Sequence, residues 1–247
     1  MQLFTKEWIY KTELELWKLE AFELFEAKLA DQKHPFPCIP AIIGQRLNHF
    51  RYGFVSNPYE DAAALGLAML LNEYSLCFKE IGNYTSLIIF FEPFEVQSEN
   101  LNVEDYETLF WDQLNRIAEL DSSKWPFQIP EDPREPLWEF CFQGEAYFMY
   151  CATPAHQYRN SRHFPYFILA ITPRWALERF YETEKNSLKI KENIRKRLEN
   201  YDSIPIHPAL NTYGQQDNYE WKQYFLRDDD SILPQCPFHP KTKRTGD

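Results

Sequence analysis

Glycine is scarce in this chain, with seven residues in 247. Neither a GxGxxG fingerprint nor a Walker-type loop occurs, so the backbone cradles that hold nucleotide phosphates are missing as motifs. Cysteine is sparse as well. Cys38, Cys77, Cys141, Cys151 and Cys236 are odd in number and form no CxxC pair, which indicates neither a disulfide framework nor a zinc knuckle. No apolar run reaches the roughly 18 residues that a membrane span needs. The opening "MQLFTKEWIYKTELELWKLE" lacks the basic-then-apolar pattern of a secretion signal. A cytoplasmic location without a membrane partner is therefore expected. Positive charge is in deficit, 26 Lys and Arg against 37 Asp and Glu, for a net charge of -11. A nucleic-acid partner is not expected, because phosphate binding needs a basic surface. HExxH, paired His-x-His and GxSxG are also absent, so the common zinc and serine-nucleophile motifs are not found.

Aromatic residues are plentiful, at 17% of the chain with Trp 7, Tyr 15 and Phe 20. That composition excludes a disordered chain. It suits a protein that encloses a large planar ligand, although an aromatic core alone needs the same residues. Residues 5 to 30 place Trp8, Leu14, Trp17, Phe22 and Phe25 at helical spacing. "DQKHPFPCIPA" carries three prolines within six residues and predicts an irregular stop. "HFRYGF" reads as a short strand, and Asn57 with Pro58 reads as the start of a helix running to Tyr74. "YTSLIIFFE" has the composition of a buried strand, and "NVEDYETLFWDQLNRIAELD" that of an amphipathic helix.

A proline-rich connector, "WPFQIPEDPREP", leads into three strands, "LWEFCF", "GEAYFMYCAT" and "FPYFILAIT". Gly144 predicts a hairpin between the first two. Residues 174 to 202 read as a helix broken near Asn186, and the remainder as proline-punctuated loop. Strands and helices without strict alternation predict a single α+β domain over residues 1–247. Its sheet should be mainly antiparallel and packed with several amphipathic helices, with residues 241–247 a frayed tail.

Three polar clusters lie in irregular, proline-bounded segments. In "HPFPCIPA", Cys38 could give a thiolate to a metal or remain an inert buried thiol. In "TPAHQYRNSR", His156, Arg159, Ser161 and Arg162 follow a strand end, where a connection between antiparallel strands gathers them at one end of the sheet. The third, "IPIHPALNTYGQQDNYEWKQYF", holds His207, which could bind a metal or satisfy a backbone carbonyl. "RDDD" at 227–230 reads as a solvated charge run.

The ordered segments "FPCIPA", "RYGF", "GNYTSLIIFFEP", "LFWDQL", "WEFCFQGEAYF", "CATPAHQYRNSR", "FPYFILAITPRW", "YDSIPIHPAL", "YGQQDNYEWKQYFL" and "CPF" resemble the YqcI/YcgG family. Members of that family with known activity are haem-dependent N-hydroxylases of guanidine groups. The resemblance implies a haem b oxygenase that hydroxylates a guanidine or amine nitrogen of a small amino-acid-like substrate. It implies His156 as the iron ligand, with His207 and Cys38 as alternatives. Arg159 and Arg162, beside Ser161, would pair with the haem propionates, since guanidinium forks suit carboxylates. A carboxylate from Glu139, Glu145 or Glu220 would hold a cationic substrate. Two other readings stand beside this one, a haem-binding or haem-sensing protein without turnover and a metal-free small-molecule binder. An electron donor of unspecified identity is implied for the enzyme, and a homodimer remains open.

Overall fold

The computed structural model describes residues 2–94, 101–183, 187–211 and 218–239. Nine helices and five strands occur among them. In chain order they are α1 (Lys6–Ile9), α2 (Leu16–Ala30), α3 (Ile39–Arg46), β1 (Phe50–Val55), α4 (Asp61–Ser75), α5 (Phe78–Ile81), β2 (Ser86–Phe91), α6 (Val103–Leu120), β3 (Phe140–Phe142), β4 (Glu145–Ala152), β5 (Ile168–Pro173), α7 (Arg174–Thr183), α8 (Ser187–Tyr201) and α9 (Trp221–Tyr224). The strands form one mixed sheet in the order β1-β2-β5-β4-β3. β1 and β2 run parallel, and every other neighbouring pair is antiparallel. The chain is thus a single-domain α+β protein with a mainly antiparallel sheet, as its segment order predicts.

Parallel β1 and β2 need a crossover, and α4 supplies it. Gly53 lets that helix close on the sheet, since a Cβ there would lie 2.6 Å from a Leu70 methyl and 2.9 Å from an Ile89 methyl. β3 and β4 turn through Gln143 and Gly144, both at positive φ (51° and 74°), the geometry of a tight two-residue hairpin. Strand alternation then divides the core in two. Leu87, Ile89, Phe91, Met149, Cys151, Leu169 and Ile171 face α4, α6 and α9. Tyr52, Phe54, Ile88, Phe90, Ala152 and Ile168 face α2 and its neighbours. Each large side chain buried this way contributes about 1.5–3 kcal/mol.

Local differences from the sequence reading have plain causes. The first helix is two helices, because Thr5 caps α1 and residues 10–15 break the pattern before α2. "CIPA" opens α3 rather than forbidding it, since a proline in the first turn gives up an N–H that has no partner in any helix. Asn57 makes an Asx turn with Tyr59 N–H (3.0 Å) instead of capping, and α4 begins after Glu60. α6 opens on a capping box of Asn102 with Asp105 that the sequence reading does not name. The break expected near Asn186 and the tail at 241–247 lie outside the described residues.

Candidate small-molecule cavity

On the α2 face the sheet is incompletely covered. A cavity of about 320 Å³ lies over Phe50, Ile88, Tyr150 and Ala170, with walls from Phe25 and Leu29 of α2, Leu177 and Phe180 of α7, and Ile194 and Leu198 of α8. Ala41, Ala152, Ala170 and Ala176 line it too, so small side chains stand where larger ones would fill the space. Its size is within the range of sites for small molecules, and its lining is mostly apolar with a few polar groups. Those polar groups include Lys28, Cys38, Ser161, Arg162, Glu220 and Gln223.

Arg162 is buried, and its guanidinium lies 4.4 Å from the centre of the Tyr150 ring. It donates to the carbonyls of Cys151 (3.3 Å), Tyr224 (2.8 Å) and Gln223 (2.9 Å). Nε–H has no acceptor, and no carboxylate pairs with the guanidinium among the described residues. Lys28 reaches into the same region from α2, donating to the carbonyls of Asn160 and His163 at 3.0 Å each. Burial pushes its pKa down to about 8, against the opposing pull of Asp202. Asp202 itself accepts from the Ser161 N–H (2.6 Å) and hydroxyl (2.9 Å), and burial raises its carboxyl above the usual range.

Cys38 stands at the N-terminus of α3 with its free surface on the cavity. Burial raises its thiol pKa, while the Ala41 backbone N–H and the Arg162 charge favour the thiolate. Among the described lining residues it is the single cysteine, and no histidine or methionine lines the cavity. Glu220 is buried, with Asn218 Nδ2 at 2.7 Å on one oxygen and Gln223 Nε2 at 3.2 Å on the other.

The other candidates lie elsewhere. His156 uses both ring nitrogens on the protein, Nδ1 with the Thr153 hydroxyl and Nε2 with the Leu226 carbonyl, each at 2.8 Å. Burial lowers its pKa to about 4, so the neutral ring donates from Nε2 and accepts at Nδ1. It does not line the cavity. Arg159 is turned to the C-terminal segment, donating to the carbonyls of Arg227 (2.6 Å), Pro205 (2.9 Å) and Asp229 (3.2 Å) and to Asp230 (3.2 Å). "RDDD" is correspondingly more than a solvated run, for Asp228 accepts from the backbone N–H groups of Gln157 (2.6 Å), Tyr158 (3.3 Å) and Arg159 (2.9 Å).

His207 packs against a separate small void with Trp111 and Trp221, and its Nδ1 accepts from the Ala209 N–H at 3.1 Å. Glu139 is buried against Arg174 (2.8 Å), and Glu145 pairs with Lys79 (2.6 Å) at the surface. Neither lines the cavity. The fold thus brings together Cys38, Ser161, Arg162 and Glu220 from the expected set and adds Lys28. Among the described residues, no group of three or more His, Cys, Asp or Glu could hold a bare metal ion, and no helix is long and apolar enough to cross a membrane.

A single α+β domain with a ligand-sized cavity over one face of its sheet is the class that fold and site define. Residues 25–239 match the YqcI/YcgG family, and the chain belongs to it. It is 46% identical to YqcI of Bacillus subtilis over 222 residues, covering 90% of this chain and 87% of that protein. It is 43% identical to YcgG of the same organism over 238 residues, covering 96% and 94%. It is also 29% identical over 229 residues, 90% of this chain and 84% of the relative, to DcsA of Streptomyces lavendulae, whose name proposes an N(omega)-hydroxy-L-arginine synthase. No solved structure matches.

Proposed function

We propose that the protein is an N-hydroxylating enzyme that takes a small guanidine- or amine-bearing, amino-acid-like substrate into the cavity on the α2 face. The observation that carries this reading is a buried carboxylate, Glu220, lining a mostly apolar, ligand-sized space. The name of DcsA supplies the reaction type. Glu220 accepts N–H bonds from the cationic end of the substrate, and Asn218 and Gln223 fix its orientation. Phe25, Phe50 and Phe180 exclude water and so strengthen that contact.

Haem b is the cofactor proposed. A haem site needs an apolar slot, an iron ligand and cations for the propionates, and the mostly apolar lining with Cys38 and Arg162 supports that reading. Cys38 would ligate the iron, with the Ala41 N–H directed at its sulfur and the positive end of α3 beneath it. When bound, haem supplies the activation of oxygen that no side chain can provide.

The test is to load the purified protein with hemin and supply oxygen, an electron donor and a panel of guanidine and amine compounds. The expected product is one oxygen heavier than its substrate by mass spectrometry and is lost in Glu220→Gln. Hemin uptake without product from any compound would overturn the enzyme reading in favour of a haem carrier or sensor. A protein that takes up no hemin would overturn the cofactor.

A further inference from the structure

The net charge of the chain is -11, yet the buried charge at one end of the cavity has the opposite sign. Arg162 is held entirely by carbonyls, which orient a guanidinium without neutralising it. Lys28 is anchored to the carbonyls of Asn160 and His163, on either side of Arg162 in the chain. Its ammonium therefore sits at the same segment, over the rings of Phe36 (5.8 Å) and Tyr201 (5.3 Å). The nearby carboxylate, Asp202, is turned onto Ser161 and forms an ion pair with neither cation. Two partly desolvated cations without a carboxylate partner among the described residues are costly to keep. Structural cations in this protein are treated differently. Arg227 pairs with Glu107 at 2.7 Å and Arg174 with Glu139 at 2.8 Å.

We propose that Lys28 and Arg162 form a carboxylate subsite, so that the molecule bound at this end of the cavity carries a free carboxylate. The remaining N–H groups of Arg162, Nε–H among them, and the third N–H of Lys28 donate to it. This deepens the function proposed above, on which its choice of ligands rests, and adds a residue that the haem reading had not used. Two sources can supply the group, the α-carboxylate of a free amino acid or the propionates of a haem. The apolar body of either then lies over Tyr150 and Ala170.

Binding to the purified protein separates the sources without any measurement of turnover. Four probes are compared by calorimetry or absorbance titration: L-arginine, its decarboxylated counterpart agmatine, hemin, and hemin with both propionates esterified. If the subsite takes the substrate, agmatine binds at least about tenfold more weakly than arginine, the loss of one charge-assisted hydrogen bond. Should it take the cofactor, the esterified hemin shows that loss instead. In either case Lys28→Met reproduces the weakening for the acid and leaves the probe without the carboxylate unchanged. Lys28 stands at the edge of the core, so its variant keeps the fold, which circular dichroism verifies. Equal binding of acid and carboxylate-free probe in both pairs overturns the subsite, as does binding of neither acid. Failure of hydroxylation alone, with the discrimination intact, overturns only the enzyme reading.

Discussion

His156 Nε2 donates to the Leu226 carbonyl at 2.8 Å, tying the β4–β5 connection to a segment 70 residues further on. With Nδ1 on the Thr153 hydroxyl, the ring is fully used as a structural strut. His156→Ala should therefore lower stability by about 2–4 kcal/mol, through lost packing and an unpaired buried carbonyl. Urea unfolding measures this. An unchanged midpoint with complete loss of hemin binding would instead place the iron on His156.

The same burial predicts acid sensitivity. The pKa values of His156 and His207 are both lowered to about 4 by burial, against an ordinary value of 6.5. The unfolded chain then binds protons that the folded chain refuses, so stability falls as pH drops from 6.5 towards 4. Each histidine contributes a slope of up to about 1.4 kcal/mol per pH unit in that window. Melting temperatures across pH 4–7 should show the decline, reduced in His156→Phe. A flat profile would mean that the rings are solvated.

Cys38→Ala separates ligand chemistry from folding. Cys38 meets α3 only through the Ala41 N–H directed at its sulfur and its surface is on the cavity, so its removal should change stability by no more than about 1 kcal/mol. Hemin affinity should fall by two orders of magnitude or more if the thiolate holds iron, with a shifted absorption band. Wild-type spectra from the variant would rule Cys38 out as ligand.

Ala170 on β5 leaves room that a bulkier residue would fill. Ala170→Phe should occupy part of the 320 Å³ and abolish binding of hemin or substrate. Its cost should stay within about 1–2 kcal/mol, because the added ring enters a void rather than a packed core. Retained binding at wild-type strength would move the site elsewhere.

Elements with local causes were legible in the sequence. The amphipathic α6, the Gln143–Gly144 hairpin and the fully buried β2 each follow from a few neighbouring residues. The site was legible only in part. Arg162 is legible as part of the polar cluster at a strand end and Glu220 as one of three candidate carboxylates, but what separates Arg162 from Arg159 is the partner each finds. Arg159 meets carbonyls and Asp230 of a distant segment, and Arg162 faces the cavity. His156 is the ligand that the family resemblance implies, and the carbonyl that takes its Nε2–H is 70 positions away. Lys28 gave no signal at all, for a lysine on an amphipathic helix reads as solvated until the 153–164 segment folds against it.

Lys28 provides the sharpest pH signature. Its neighbours are Asp202 and Tyr201 at the end of α8, the carbonyls of Asn160 and His163, and Arg162 across the same cavity. Burial sets its pKa at about 8, against 10.5 in the unfolded chain. Between those values the unfolded state binds the extra proton, so the ligand-free protein should gain stability from this group as pH rises. A bound carboxylate needs the protonated form, so its affinity should fall over the same rise. Lys28→Met should remove both trends, leaving affinity low and nearly constant from pH 7 to 9. Thermal shift with and without the carboxylate ligand reads the two slopes together. If both run in the same direction in the wild type, Lys28 is not the group that meets the carboxylate.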